Sequence, residues 1–139
     1  MSRIPASLRQ TVIAASQGRC AYCHSPEKLM GVAFEIDHIT PRSTGGRTTI
    51  SNLCLSCPTC NRHKTNRTKA RDPVTRRTVR LFRPNYDRWP DHFTWSDGGF
   101  ELIGLTPTGR ATIETLQINR PMMMLLRQYW KATGLWASD

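Results

Sequence analysis

Apolar positions along the 139-residue chain are unevenly spaced, and the spacing predicts a short list of elements. In Pro5–Gln17, Leu8, Val12, Ile13 and Ala15 supply one apolar side, Pro5 suits a first turn and Gly18 ends the run, so a short helix is expected there. Thr65–Pro84 is basic and Thr-rich with few apolar residues, and reads as a connecting arm, partly extended at Val79–Phe82. Beyond it, His92–Trp95 and Phe100–Leu105 alternate or run apolar around Ser96-Asp97-Gly98-Gly99, the signature of a hairpin. Two helices are expected over about Pro107–Leu116 and Arg120–Thr133, the second ended by Gly134. Met123, Leu126, Tyr129 and Trp130 fall on one side of that last helix, a stripe expected in the core. There is no internal repeat and no low-complexity tract.

Charge changes this picture more than composition does. Twenty Lys and Arg against ten Asp and Glu give a net charge of +10. An excess of this size favours a polyanion, because each cation placed near a phosphate releases condensed counterions. The distribution sharpens the inference: nine Arg and Lys crowd Arg62–Arg83, with Asp72 the only acid among them. The longest apolar run, Met122–Leu126, is far short of the ~20 residues of a membrane span. Met1–Gln10 lacks the apolar core of a secretory signal. A soluble, cytoplasmic protein of one domain, or one domain with an appendage, is therefore expected.

In a reducing compartment paired cysteines point to metal rather than disulfides. Cys20-Ala21-Tyr22-Cys23 and Cys57-Pro58-Thr59-Cys60 are two Cys-x-x-Cys pairs 33 residues apart. Each offers two thiolates from a tight knuckle, and two knuckles complete a tetrahedron around a structural Zn2+. Cys54 is expected to be a buried small hydrophobe. His24 is a rival ligand that a full cysteine set does not require. A closed four-cysteine site keeps no open position, so this zinc should do no chemistry.

Between and after the knuckles lie Asp37-His38-Ile39-Thr40-Pro41-Arg42-Ser43-Thr44-Gly45-Gly46, then Asn52-Leu53, then Cys57-x-x-Cys60-Asn61-x-x-Lys64. An imidazole that titrates near neutral pH can take a proton from water. A carboxylate and an amide oxygen suit a hard cation such as Mg2+ or Mn2+. The pattern resembles the HNH nucleases of the ββα-metal class, over about Arg19–Asn66, roughly a third of the chain. The resemblance implies an α+β fold: a small ββα core stapled by the four cysteines, preceded by a helix and followed by the hairpin-plus-helices extension. It implies that Asp37 and Asn61 hold the catalytic divalent ion, that His38 is the general base, and that Asn52 braces the loop presenting it. Asn61 stands where the family name implies histidine, a His-Asn-Asn variant. His63, two residues on along a helix, would point away from Asn61 and is left to phosphate or solvent.

Two readings are open for several neighbours. Glu35 either supports Asp37 from the same strand face or is an exposed acid; Arg42 and Lys64 either hold the scissile phosphate or are solvated. Arg62, His63 and Arg67 join them as expected nucleic-acid contacts. Adjacent strand residues face opposite sides, so Asp37 and His38 share a site only if the strand ends or kinks there, as Thr40-Pro41 allows.

The expected organisation is a nuclease core over residues 1–70 and a basic arm with the C-terminal extension over 71–139. The expected function is metal-dependent hydrolysis of phosphodiester bonds in DNA, with RNA not excluded, by a monomer or homodimer whose single site nicks one strand. The competing classes are a zinc-stapled nucleic-acid-binding module that does not cut and a zinc-scaffolded protein-interaction domain. Asp91-His92-Phe93 and the run Gly104–Thr112 are also similar to the tails of bacterial HNH proteins of unassigned role.

Overall fold

The computed structural model describes residues 4–136. The chain is α+β and divides into two compact units, Met1–Thr68 with Arg83–Asp87 and Lys69–Phe82 with Arg88–Asp139.

The first unit contains α1 (Ala6–Ala15), α2 (Glu27–Met30), β1 (Glu35–His38), β2 (Leu53–Ser56) and α3 (Pro58–Lys64). Pro5 caps α1 rather than entering it, and the chain leaves the helix through Gln17 and Gly18, both at positive φ. Of the expected stripe only Val12 is fully buried. β1 and β2 are antiparallel, with Asp37 opposite Cys54 and His38 opposite Leu53. All four residues of β2 are buried, which is why Leu-Cys-Leu-Ser shows no alternation. The next residue, Cys57, caps α3: its Sγ accepts from the Cys60 amide, and Pro58 takes the first helical position, where no amide hydrogen is needed. β2 thus runs into α3 with Cys57 as the one residue between them. Asn85 donates to the carbonyls of Ile50, Ser51 and Leu53, tying Arg83–Asp87 to the start of β2.

The second unit contains β3 (Lys69–Arg71), β4 (Thr78–Arg80), α4 (Trp89–His92), β5 (Phe93–Trp95), β6 (Leu102–Gly104), α5 (Pro107–Leu116) and α6 (Pro121–Ala132). The expected arm is instead an ordered hairpin: β3 pairs with β4 antiparallel, Ala70 opposite Val79. Its physical cause is Asp72. That carboxylate accepts from the Val74 and Thr75 amides and the Thr75 hydroxyl, and Arg110 of α5 grips both oxygens at 3.0 Å. The guanidinium holds the Asp72 carboxyl well below the usual carboxylate range. Strands of three residues are too short to announce themselves by alternation.

The β5–β6 hairpin, α5 and α6 lie where the apolar spacing put them. Thr106 caps α5 through the Gly109 amide. Gly109 is obligatory, since a Cβ there would lie 2.2 Å from the His92 carbonyl oxygen. The stripe on α6 is shifted from expectation. Met123 and Trp130 are buried, but Tyr129 is 62% exposed, and the position between them in the core is Arg127. Its guanidinium donates to the Phe100 and Ile118 carbonyls at 2.8 Å and lies over the Trp95 ring. An arginine whose terminal nitrogens donate to loop carbonyls can replace an apolar residue in a core.

Candidate active site

The four paired cysteines converge. Their Sγ atoms all lie within 4.8 Å of one another and every one is buried. Cys23 and Cys57 are 3.9 Å apart, close to the ~3.8 Å edge of a tetrahedron with Zn–S bonds of about 2.3 Å. None is in a disulfide. The first knuckle is a turn closed by His24 N on Cys20 O, and Ala21 N bonds to Leu55 O, fastening it to β2. Burial pushes the Cys20 thiol well above its ordinary pKa, so a divalent cation is what would keep four thiolates together there. The cluster is positioned for a metal ion and suited to zinc. His24 and Cys54 stand outside it. Burial pushes the His24 imidazole down to about 4, and it pushes the Cys54 thiol up.

Asp37, His38 and Asn61, from β1 and α3, open onto one cleft of about 400 Å³ whose other walls include Pro41, Arg42 and Thr65. Asp37 is 6% exposed. Its Oδ2 accepts from the Tyr22 hydroxyl at 2.7 Å and from Lys64 Nζ at 3.1 Å. Tyr22 belongs to the first zinc knuckle, so the knuckle reaches directly to the carboxylate. Burial, reinforced by the nearby anions, holds the Tyr22 phenol well above its ordinary pKa, so it stays a donor. Lys64 also donates to the His38 and Ile39 carbonyls at 3.3 and 3.4 Å, and closes the end of β1.

His38 Nε2 lies 2.9 Å from Thr48 Oγ1. With the proton on Nε2 and directed at Thr48, Nδ1 keeps its lone pair. Partial burial lowers the imidazole pKa, with Arg42 adding to the effect and Asp37 opposing it. The loop between β1 and β2 is held by Asn52, which is 7% exposed. Its Oδ1 accepts from Thr40 N at 2.8 Å, and its Nδ2 donates to Thr40 O and Arg47 O. Gly46 is pressed so close that a Cβ would overlap the Thr40 carbonyl. Asp37 and His38 can flank one cleft because β1 ends at His38, where Pro41 and this loop turn the chain away. Asn61 Nδ2 donates to Glu35 Oε1 at 2.6 Å; Glu35, an exposed acid on β1, thereby orients the amide.

The expected phosphate contacts divide. Arg42 lies in the cleft wall, and Arg62 and Arg67 are exposed. Lys64 is neither a solvated charge nor a surface contact: at 2% exposure it is the buried partner of Asp37. His63 bonds back to the Thr59 carbonyl at 2.9 Å and does not line the cleft, as its angular offset from Asn61 requires. Sequence reasoning missed Tyr22 and Thr48. The aromatic inside the first Cys-x-x-Cys was the available signal for Tyr22, while nothing in the local sequence marked Thr48.

A model of the HNH endonuclease family matches residues 20–67. No curated protein and no solved structure matches the chain. The matched segment takes in both knuckles, β1, β2 and α3, and therefore all four cysteines with Asp37, His38, Asn52 and Asn61. Together with the cysteine cluster it supports a nuclease or nucleic-acid-related function. Among the described residues no helix is long and apolar enough to cross a membrane.

Proposed function

We propose that the first unit is a metal-dependent HNH endonuclease of the His-Asn-Asn type that hydrolyses phosphodiester bonds in DNA, nicking one strand per site. The observation that carries this is the convergence of Asp37, His38 and Asn61 on one cleft. A buried carboxylate beside a neutral amide oxygen is a hard donor set, which fits Mg2+ or Mn2+ rather than a thiophilic ion. Bound there, the ion supplies positive charge against the anionic phosphate and the departing oxygen. Asp37 and Asn61 would hold it. Tyr22 and Lys64 fix the Asp37 carboxylate, and Glu35 fixes the Asn61 amide.

His38 Nδ1 takes the proton of the attacking water, and Thr48 holds the ring through Nε2. Asn52 keeps the loop in register so that the ring stays on the cleft. Arg42, in the cleft wall, is placed to meet a substrate phosphate, and the exposed Arg62 and Arg67 extend a cationic surface beside it. The zinc site is structural.

One observation favours a second reading, a zinc-stapled binder that does not cut. Lys64 Nζ sits 3.1 Å from Asp37 Oδ2, and a fixed ammonium there opposes a second cation. Plasmid cleavage decides between them. The nuclease reading expects nicking with Mg2+ or Mn2+ that His38→Ala abolishes, with zinc content and DNA binding retained. Binding without nicking under any divalent metal establishes the second reading instead.

A further inference from the structure

The β3–β4 hairpin carries a cluster of exposed cations. In the antiparallel register Lys69 stands directly opposite Arg80, and Arg71 opposite Thr78, with all four exposed. Like charges facing each other across a two-stranded ribbon destabilise it. Ala70 and Val79, the alternate positions, turn to the other face and pack toward α5. The turn adds Arg76 and Arg77, both exposed. The one acid of the hairpin, Asp72, is buried and already neutralised by Arg110. Among the described residues no carboxylate forms an ion pair with Lys69, Arg71, Arg76 or Arg77.

The turn holds a second, independent signal. Arg76 has φ +65°, in the left-handed region where glycine is the unstrained residue. The strained conformation is fixed by Arg76 N on Asp72 O and by Asp72 N on Arg77 O. Arg71 Nε in turn donates to the Arg76 carbonyl. A long cation is thus kept where the backbone favours glycine, on a turn locked to α5, which suits a role that the charge itself performs.

We propose that this ribbon is a phosphate-binding surface for duplex DNA, belonging to the second unit and distinct from the candidate active site. A two-stranded ribbon is one of the two secondary structures that the major groove admits. Cations along its outer face match the phosphates that border such a groove. The proposal concerns binding alone and stands whether or not the first unit cuts.

The test is duplex binding by zinc-loaded protein without added divalent metal, titrated across salt concentrations. A Lys69→Gln/Arg71→Gln/Arg77→Gln variant is compared with a Lys28→Gln/Arg88→Gln/Lys131→Gln control that loses the same charge at exposed positions elsewhere. Each phosphate contact contributes about 0.9 to the slope of log K against log salt. The ribbon variant should therefore lose up to about 2.7 of slope, and at least tenfold in affinity near 0.1 M salt. The control should keep most of both. Arg76→Gly keeps the test decisive if the triple variant misfolds: it relieves strain, so it should melt no lower than wild type while losing about 0.9 of slope. Equal losses in the ribbon and control variants, an unchanged slope in the ribbon variant, or equal losses on a single strand of the same length would each overturn the assignment.

Discussion

Tyr22→Phe removes one oxygen from the first zinc knuckle and leaves the ring. Tyr22 is fully buried and its hydroxyl is 2.7 Å from Asp37 Oδ2, on a carboxylate only 6% exposed, so no water can take its place. A hydrogen bond to a charged group contributes about 1.5–3 kcal/mol. Lys64 stays on the same oxygen at 3.1 Å, which sets the expected loss near the lower end, about 2 kcal/mol. For a unit of about 70 residues that is a fall in Tm of roughly 8–16 °C. The functional effect comes from the carboxylate. Deleting an outer partner of a metal-holding side chain typically costs about 10–100-fold in metal affinity or activity, and the low end is expected while Lys64 remains.

Three readouts separate these effects. All four tryptophans, Trp89, Trp95, Trp130 and Trp136, belong to the second unit, so tryptophan emission follows that unit and should not change. Cobalt substituted into the cysteine site reports the first unit through its thiolate absorption. Mn2+ binding and Mn2+-dependent nicking report the cleft. The expected result is unchanged zinc stoichiometry, a lowered melting point in the cobalt signal, and roughly tenfold weaker Mn2+ dependence. A variant that melts lower yet binds Mn2+ and nicks as wild type makes Tyr22 a core group only. If it also melts as wild type, the bond to Asp37 is not what fixes the carboxylate.

Cys57→Ser should remove both a zinc ligand and the cap of α3, unfolding the first unit with loss of the metal; zinc stoichiometry and circular dichroism check this. Asn52→Ala deletes the side-chain bonds to Thr40 and Arg47 and should lower nicking at least tenfold with zinc retained, while wild-type nicking would show that the loop holds without it. Asp72 gives a pH dependence in the second unit. Its folded pKa is depressed by Arg110, so its contribution is fully present above the unfolded pKa of ~4 and fades as pH falls below it. Tryptophan-monitored melting of Asp72→Asn should therefore lie well below wild type at pH 7, with the gap narrowing from about pH 4 toward pH 2; a constant gap would contradict the linkage.

The sequence was most legible where one side chain type does one job. The cysteine pairs signalled the cluster because zinc constrains ligand identity and spacing together, and the C-terminal hairpin and helices were readable from apolar period and turn chemistry. What escaped were bonds between residues far apart in the chain. Asp72 and Arg110 are 38 positions apart, and without Arg110 the hairpin between them looks like a loose arm. Arg127 looks like a break in an apolar stripe until the Phe100 and Ile118 carbonyls are seen to take its protons. Lys64 was misplaced for the same reason: in sequence it is one more cation in a basic run, and only the end of β1 makes it a buried counter-charge.

That counter-charge gives the cleft its central tension. Removing a lone cation from a buried ion pair leaves an uncompensated charge, and such losses run to about 3–5 kcal/mol. Lys64→Met should therefore destabilise the first unit, since Asp37 keeps the Tyr22 hydroxyl and the Cys54 thiol, which are neutral, and loses its cation. A divalent ion bound by Asp37 would restore the missing charge. If the cleft takes Mg2+ or Mn2+, the variant's melting point should rise with either ion more steeply than that of wild type. If the cleft binds no divalent ion, both proteins should respond alike, the loss should stand at every metal concentration, and the Asp37–Lys64 pair would be a structural lock in a domain that binds nucleic acid without cutting it.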